Sequence, residues 1–417
     1  MIEREVLGVG IVGAGFSGHC HARSWAGVRD ADIVGVTSRD GAAGLVEAVR
    51  AAGLGDAQAY DDVRAMARDP KVDAIWVLVP NDARLEVVSA IVDEVTSGRA
   101  ELIGVAIEKP LARSVQEARR LLEMIEGAGL LHAYLENQVY APAVTRPHEL
   151  IWSRGAAIAG SPYLARCTEE HSGPHKDWFW DGEKQGGGAL SDMMCHSVEA
   201  ARYLLTPPGV DPSTWLTPVS VEATIASLKW GRDKYAEILR RAYPQAPDYR
   251  QRPSEDYARA TFTFINGDGE PVIAETGTSW SFVGAGLRLS FELLGPEYSM
   301  SADTLNTEAR VFLSRELQQS QGEDMVEKQN AEQGLMPVLS DESLSYGYTT
   351  ENATVASDFL ARRQPRESLA NGVQVTELLM AAYQAAETGT RVTWPVDVDT
   401  FAPAVARGTW NPRAPRA

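Results

Sequence analysis

The sequence has few cysteines, a deficit of positive charge and no long hydrophobic run. Its only cysteines, Cys20, Cys167 and Cys195, show no metal-ligand spacing, so we expect reduced thiols without disulfides. Lysine and arginine number 39 against 57 acidic residues, a net charge of -18. This charge argues against nucleic acid and anionic membrane surfaces as partners, because both would be repelled.

The chain also lacks the signals of export and membrane insertion. Residues 1–5 lead directly into a predicted strand without a basic-then-apolar leader, and no apolar run approaches the ~20 residues of a membrane helix. We therefore predict a cytoplasmic protein with no membrane contact. The 417 residues, 44% of them hydrophobic, suffice for two domains with separate cores.

A glycine-rich loop follows the first predicted strand, residues 6–12. Its pattern, Gly13-x-Gly15-x-x-Gly18, stands before a predicted helix over residues 17–25. In this context the first glycine permits a tight turn, the second lets a pyrophosphate approach, and the third lets helix and strand pack closely. Free N–H groups at the helix start favour phosphate. We predict a dinucleotide site whose first residues are Gly13, Gly15, Phe16, Ser17 and Gly18.

The end of the second predicted strand, residues 31–39, bears on the choice between NAD and NADP. Ser38 and Arg39 resemble the groups that hold a ribose 2′-phosphate, which slightly favours NADP. NAD stays open as the alternative, because a carboxylate such as that of Asp40 binds the free ribose hydroxyl.

Strands and helices alternate through the first third of the chain, which predicts a doubly wound parallel sheet. Ligands of such sheets lie at the carboxyl ends of the strands. Polar residues follow several predicted strands on the edge shared with the glycine loop: Pro80, Asn81, Glu108, Lys109 and Asn137. We predict that they contact the cofactor, and that Lys109 hydrogen-bonds a substrate hydroxyl and helps to move its proton.

Three consecutive glycines, residues 186–188, precede a predicted helix that runs to residue 205. Asp192 and His196 are four residues apart on this helix and share one face. A carboxylate and an imidazole beside a flexible glycine entry suit proton transfer. The alternative is an acidic residue near a helix start followed by a core histidine.

The loop over residues 169–181 is rich in aromatic and polar side chains, which suits carbohydrate binding. The candidate substrate residues, with Tyr140 at the expected edge of the domain cleft, are Tyr140, His171, His175, Trp178 and Trp180. In the alternative interpretation the tryptophans cap a hydrophobic core. Gly173 lies between the two histidines and disfavours a helical metal pair, so no metal is assigned.

The rest of the chain predicts a second sheet with two excursions. Residues 223–228, 257–265, 272–280 and 287–294 alternate as strands do. Residues 229–253, rich in Arg, Tyr and Pro, are expected to form a lid or an arm to another subunit. Residues 317–334 are expected to form an exposed excursion.

These motifs, in this order, resemble the Gfo/Idh/MocA (glucose–fructose oxidoreductase/inositol dehydrogenase/rhizopine catabolism) family, as does the stretch over residues 371–395. The resemblance implies a Rossmann domain over residues 1–136. Residues 137–417 then form an α/β domain with a large, mostly antiparallel open sheet. In an alternative arrangement, the C-terminal segment of the chain packs back on the first domain. That sheet is commonly an oligomer interface, which implies a homodimer or homotetramer.

The resemblance further implies that Lys109, Asp192 and His196 are catalytic, with hydride transfer between nicotinamide and a carbohydrate. Two departures concern local packing: Arg84 stands where many members carry histidine, and Met193 begins a run where glycine is common.

Three functions follow from these residues. The first is an NAD(P)-dependent oxidoreductase of a sugar, sugar derivative or inositol. The second is an NAD-dependent glycosidase that works by transient oxidation, elimination, water addition and re-reduction, with Tyr140, His171 and His175 as further acid–base groups. The third, a dinucleotide-sensing regulator, is disfavoured because a regulator has no need of the three catalytic residues.

Overall fold

The computed structural model describes residues 6–284, 286–307, 309–313, 334–339 and 341–413. These residues form two compact units. The first unit comprises Met1–Ala112, Gln116–Ala141 and Ser343–Gln374, and the second comprises Arg113–Val115, Pro142–Glu342 and Val375–Ala417. Residues 317–333 of the expected excursion lie outside the described residues.

The first unit is built on a six-stranded parallel sheet. Its strands are β1 Leu7–Val12, β2 Ala31–Thr37, β3 Gln58–Tyr60, β4 Ala74–Val77, β5 Gly104–Glu108 and β6 Leu131–Leu135. The order β3-β2-β1-β4-β5-β6 is that of the Rossmann fold, as predicted. The apolar strands β1, β4 and β5 are buried along their whole length, because both sheet faces are covered.

Helices cover both faces of this sheet. They are Phe16–Ser24, Ala43–Ala51, Val63–Ala67, Arg84–Thr96 and Val115–Gly127, with single 3₁₀ turns at Trp25–Gly27, Asn81–Ala83 and Asn137–Tyr140. A later segment completes the covering. Phe359, on the helix Tyr348–Leu360, joins the core on one face and Leu369 joins the core on the other.

The second unit contains a seven-stranded, mostly antiparallel sheet in the order β12-β11-β7-β10-β9-β8-β15. Its strands are β7 Leu164–Glu170, β8 Thr217–Ala226, β9 Tyr257–Ile265, β10 Pro271–Ser279, β11 Arg288–Gly295, β12 Tyr298–Asp303 and β15 Val392–Thr393. The only parallel pair among the described strands of this sheet is β7 with β10. A separate ribbon is formed by β13 Ala309–Leu313 and β14 Gly334–Val338.

The second unit also contains helices. They are Pro142–Leu150, Ala157–Ala159, Gly182–Gln185, Ala189–Leu204, Pro212–Trp215, Asp233–Ala242 and the C-terminal part of Leu369–Thr388, with a π-helix at Ile151–Ala156 and a 3₁₀ turn at Asp177–Trp180. The short helix Glu342–Ser345 falls mostly in the first unit. The helix Ala189–Leu204 lies against β7 and β10. The opposite sheet face carries ion pairs between strands, such as Arg166 with Glu275 and Glu292 at 2.7 and 2.6 Å.

Two predicted boundaries in the second unit are corrected. Strand β8 begins at Thr217 rather than residue 223, because a register irregularity beside Pro218 interrupts its alternation. The helix predicted over residues 148–154 begins at Pro142, a position where proline is tolerated in a first helical turn.

Residues 229–253 pack in part against the rest of the second unit. Ala236, Leu239 and Tyr249 from this segment are buried in a cluster with Trp180 and Trp280 of the same unit. The segment therefore contributes to a hydrophobic core of the second unit, and its role as a lid or an arm stays a prediction. Among the described residues, no helix is both long and apolar enough to cross a bilayer.

Candidate active site

The glycine loop of the first unit has the geometry that its sequence predicts. Gly13 has φ +112°, and its N–H donates to Thr37 O at 2.8 Å, so the loop turns tightly beside β2. A Cβ on Gly18 would overlap Gly13 O. No described atom lies within 4 Å of the place that a Cβ on Gly15 would take. The loop is closed behind Gly13 and Gly18 and open at Gly15, which fits an approaching pyrophosphate.

The groups beside β2 are accessible. Arg39 and Asp40 form an ion pair of 3.6 Å, and both side chains are 87% exposed. Ser38 lies between them and the buried Thr37. A guanidinium and a carboxylate are therefore both available at the strand end that distinguishes NADP from NAD.

Glu108, at the end of β5, is buried in a hydrogen-bond network. Its Oε2 lies 2.7 Å from His21 Nε2, and His21 Nδ1 lies 3.2 Å from Asn352 Oδ1. Burial would raise the pKa of Glu108, but the hydrogen bond and charge of His21, helped by Lys109 and Arg84, hold it below the usual value. Glu108 is therefore an anion that supports the neighbouring cations.

Arg84 holds the backbone of Lys109 in place. Its guanidinium is buried and donates to Lys109 O at 3.1 Å, to Val79 O at 3.2 Å and to Pro110 O. One side chain thus joins the ends of β4 and β5. Arg84, which stands where the resembling family often has histidine, therefore fixes the backbone at Lys109. The side chain of Lys109 is partly exposed.

Asn81 and Asn137 follow β4 and β6, and both are buried. Asn137 Nδ2 donates to Tyr346 O at 2.7 Å, whereas its Oδ1 has no hydrogen-bond partner among the described residues. Pro80 precedes the 3₁₀ turn Asn81–Ala83. Tyr140 is 1% exposed, and the Arg366 guanidinium lies 4.2 Å from its ring centroid.

A buried acid, Glu351, escaped the sequence interpretation. It is 0% exposed, and neither carboxylate oxygen has a hydrogen-bond partner among the described residues. Burial, and then the charges of Glu108, Glu136 and Glu367, raise its pKa well above the usual value. Burial and these charges therefore favour the uncharged form of Glu351.

The second unit carries Asp192 and His196 on the buried helix Ala189–Leu204. Their four-residue separation puts them on one helical face. His196 Nε2 lies 3.9 Å from Oε2 of Glu169, and both side chains are buried. A carboxylate group therefore lies beside the imidazole of His196 in the second unit.

The start of this helix is held by two residues distant in sequence. The N–H groups of Gly188 and Leu190 donate to Glu255 Oε1 at 2.9 and 3.0 Å. The N–H of Ser191 donates to the Tyr383 hydroxyl at 3.2 Å, and that hydroxyl donates to Glu255 Oε1 at 2.6 Å.

The aromatic loop divides into a core part and a partly exposed part. Trp180 is 1% exposed and packs edge-on against Trp230, Tyr249 and Trp280, so it is a core residue and not the expected sugar contact. Trp178 is partly exposed and stacks on Phe179 with centroids 3.8 Å apart.

The two loop histidines also differ. His171 is buried, and its Nδ1 accepts from Gly173 N at 2.9 Å, which fixes the loop conformation. His175 is half-buried.

Two family models match the chain. The first, described as an oxidoreductase family with an NAD-binding Rossmann fold, covers residues 7–134, and the second, the GFO/IDH/MocA C-terminal domain, covers residues 156–300. The chain belongs to the Gfo/Idh/MocA oxidoreductase family. An NAD-type dinucleotide is therefore the cofactor class of the first unit, as its glycine loop predicts.

The chain is similar to named proteins and to solved structures over different shares of its length. Levoglucosan dehydrogenase of Pseudarthrobacter phenanthrenivorans is 23% identical over 91% of this chain and 93% of its own length. D-glucoside 3-dehydrogenase of Escherichia coli is 28% identical over 49% of this chain and 55% of its own length. The structure of GenD2 from gentamicin A biosynthesis, in complex with NAD, matches with TM-score 0.73, 24% identity and coverage of 95% of this chain and 100% of that one.

Sequence reasoning missed the residues that support this family's motifs. Glu169 was visible only as an acid at a strand end, and His21, Arg84, Glu255 and Tyr383 are far in sequence from the residues that they hold. No local pattern identifies such partners, because the contacts exist only once strands and helices have packed.

Proposed function

We propose that the protein is an NAD(P)-dependent dehydrogenase of a sugar, sugar derivative or inositol. The observation that carries the proposal is that one chain contains both an open glycine loop, in the first unit, and Asp192 and His196 on one buried helix face, in the second. Relatives named for levoglucosan, glucosides and inositol support the substrate class. A dehydrogenase needs both parts: a place for nicotinamide and a path for the hydroxyl proton.

One of the two residues Lys109 and His196 accepts the hydroxyl proton of the substrate, and the other hydrogen-bonds the hydroxyl oxygen. Bound nicotinamide supplies the acceptor for the hydride that leaves the same carbon, so the alcohol becomes a carbonyl. Arg84 fixes the backbone of Lys109, and Glu169 stabilises the positive charge that His196 gains. Asp192, one turn before His196, orients the pair. Arg84 and Glu169 are in place before the reaction begins, so they need not rearrange as charge develops.

The choice between NAD and NADP depends on the residues at the end of β2. Arg39 offers a guanidinium to a 2′-phosphate, while Asp40 at 3.6 Å offers a carboxylate to a free ribose hydroxyl. We propose that both dinucleotides bind and that NADP is slightly preferred. Identification by mass of any dinucleotide retained through purification, followed by titration with both, tests this preference.

For the substrate we propose contacts from His175 and Trp178, with His171 shaping the loop, whereas Tyr140, predicted as a contact, is as buried as Trp180. For the assembly we propose a homodimer or homotetramer through the sheet face that carries the Arg166 ion pairs. Light scattering of the purified protein measures the assembly directly.

Replacement of Lys109 tests the catalytic proposal. We expect Lys109→Ala to bind NAD and NADP with unchanged affinity, because the glycine loop remains, while kcat for oxidation of the best sugar falls about 100-fold or more. A panel of levoglucosan, glucosides and inositols serves as substrate. Lys71→Ala, an exposed lysine of the same unit, is the matched control. Turnover by Lys109→Ala at the rate of the control would rule out this role.

The glycosidase alternative has its own signature in this experiment. Such an enzyme would release free sugar from a glucoside while its tightly held NAD shows no net change in redox state. Accumulation of NADH or NADPH in step with substrate oxidation assigns the dehydrogenase.

A further inference from the structure

The helix Ala189–Leu204 begins at a glycine that offers no side-chain cap. Gly188 is its N-cap residue, and a helix start leaves four backbone N–H groups without partners inside the helix. Here those groups belong to residues 188–191, and all are buried. A buried N–H without a hydrogen bond would be costly, so the partners of these four groups determine where the helix begins.

Glu255 and Tyr383 together take all four. Glu255 Oε1 accepts from Gly188 and Leu190, and the backbone oxygen of Glu255 accepts from Ala189 at 3.0 Å. The Tyr383 hydroxyl accepts from Ser191 at 3.2 Å and also from Gly188 at 3.1 Å. Its own proton goes to Glu255 Oε1, so the two side chains form one connected cap.

The glycine run is shaped to this cap. A Cβ on Gly187 would overlap the Tyr383 hydroxyl, and a Cβ on Gly188 would lie 2.5 Å from Glu255 O and 2.6 Å from Glu255 Oε2. Either methyl group would force the helix start away from its partners. The sequence suggested that these glycines give a ligand access. In the structure, Gly187 and Gly188 leave room for the buried side chains of Tyr383 and Glu255.

The cap lies one turn from the proposed catalytic residues. Asp192 N donates to Gly188 O at 3.0 Å, so Asp192 belongs to the first turn and His196 to the second. Any rotation or shift of the helix start carries both side chains with it. We propose that Glu255 and Tyr383 are positioning residues for Asp192 and His196. This proposal rests on the dehydrogenase function proposed above.

The two oxygens of Glu255 have unequal surroundings. Oε1 accepts three hydrogen bonds, whereas Oε2 has no partner among the described residues. A proton on Oε2 leaves every bond of the cap in place. A glutamine with its amide oxygen at the Oε1 position preserves the same three bonds, which makes Glu255→Gln the conservative variant.

The test compares three variants of the Glu255–Tyr383 cap with a matched control. Tyr383→Phe and Glu255→Ala break the cap, and Glu255→Gln keeps it. Tyr249→Phe removes an equally buried hydroxyl that donates to Trp180 O at 3.0 Å and, among the described residues, forms no hydrogen bond with the helix start. Each variant is assayed for sugar oxidation on the panel above and for dinucleotide affinity, and its unfolding temperature is recorded.

We expect Tyr383→Phe and Glu255→Ala to lower kcat about 10- to 100-fold, since misplacement of catalytic groups by about 1 Å has effects of this size. Dinucleotide affinity should stay within about twofold, because the glycine loop is untouched. Glu255→Gln should keep most of the wild-type kcat. Equal losses of kcat in Tyr249→Phe and Tyr383→Phe, or no loss in Tyr383→Phe, would overturn the proposal.

A second readout separates this proposal from the proposed function. In protein with ¹⁵N-labelled histidine, the signal of His196, identified by its loss in His196→Gln, should shift in Tyr383→Phe and Glu255→Ala but not in Tyr249→Phe. Hydrogen exchange of residues 186–192 should accelerate in the same two variants. If no sugar is oxidised by the wild type, the dehydrogenase assignment fails, and unchanged His196 signals and exchange would then defeat the positioning proposal independently.

Discussion

The Glu255 carboxyl group accepts hydrogen bonds that fix a helix start, but its burial disfavours the charged carboxylate. Burial raises its pKa to about 7, although Tyr383 and the N–H groups of Leu190 and Gly188 oppose that rise. Tyr249 is a further titratable group close to it. Because the folded pKa exceeds the ordinary value of 4.5, folding is favoured most below pH 4.5, and this advantage is lost as the pH rises to about 7.

We predict that Glu255→Gln gains stability relative to the wild type as the pH rises from about 5 to about 8. The expected change in the difference of unfolding free energy is roughly 3 kcal/mol. Urea unfolding of both proteins at the two pH values measures it. Glu351 is present in both and cancels from the comparison. A difference that is constant with pH would show that Glu255 ionises in the folded protein as it does in water.

At the scale of elements, the position of the segment over residues 229–253 is determined by contacts with residues distant in sequence. Its helix Asp233–Ala242 has exposed charges on one side and buries Ala236 and Leu239 on the other. Three backbone N–H groups, of Leu228, Lys229 and Trp230, donate to the buried Asp256 at 2.6 to 2.8 Å, which fixes where the segment begins. Trp180 fills the space between the segment and the sheet.

We predict that Trp180→Ala destabilises the second unit by about 3–5 kcal/mol, because it leaves a cavity in a closely packed core. The segment should also become sensitive to proteolysis near its arginines. Trp178→Ala, which removes a partly exposed tryptophan two residues away, is the control and should cost less than about 1.5 kcal/mol. Loss of sugar affinity at unchanged stability in Trp180→Ala would restore its expected role as a substrate contact.

At the scale of the whole molecule, the first unit is assembled from distant parts of the chain. The helix Tyr348–Leu360 contributes Val355, Ala356 and Phe359 to a core that also contains Trp25 and Trp76. Trp76 contacts both neighbours edge-on, with centroids 5.5 Å from Trp25 and 5.8 Å from Phe359. Asn352 on this helix accepts from Trp76 Nε1 at 2.9 Å.

We predict that a fragment of residues 1–141 neither unfolds cooperatively nor binds a dinucleotide, since it lacks the part of the core that Val355, Ala356 and Phe359 complete. The same fragment joined by a flexible linker to residues 343–374 should do both. Calorimetry and fluorescence titration with NADH provide the two readouts. Equal NADH affinity of the two fragments would show that the later segment is dispensable for the first unit.

The sequence alone was sufficient for the local and periodic features. Strand–helix alternation and Gly13, Gly15 and Gly18 predicted the parallel sheet and its dinucleotide site, because turn geometry and burial of strands act over a few residues. The family followed from motif order. The roles of Lys109, Asp192 and His196 remain predictions that rest on this resemblance and on their placement at strand and helix ends.

Only the tertiary structure decided which side chains serve the motifs and which serve the core. Trp180 and His175 are five residues apart in one polar–aromatic loop, yet one is buried among aromatic rings and the other is half-exposed. Glu255 and Tyr383 meet the glycine run from positions about 70 and about 200 residues away. Hydrogen bonds and packing act between neighbours in space, so a sequence pattern contains the residues of such contacts but not their partners.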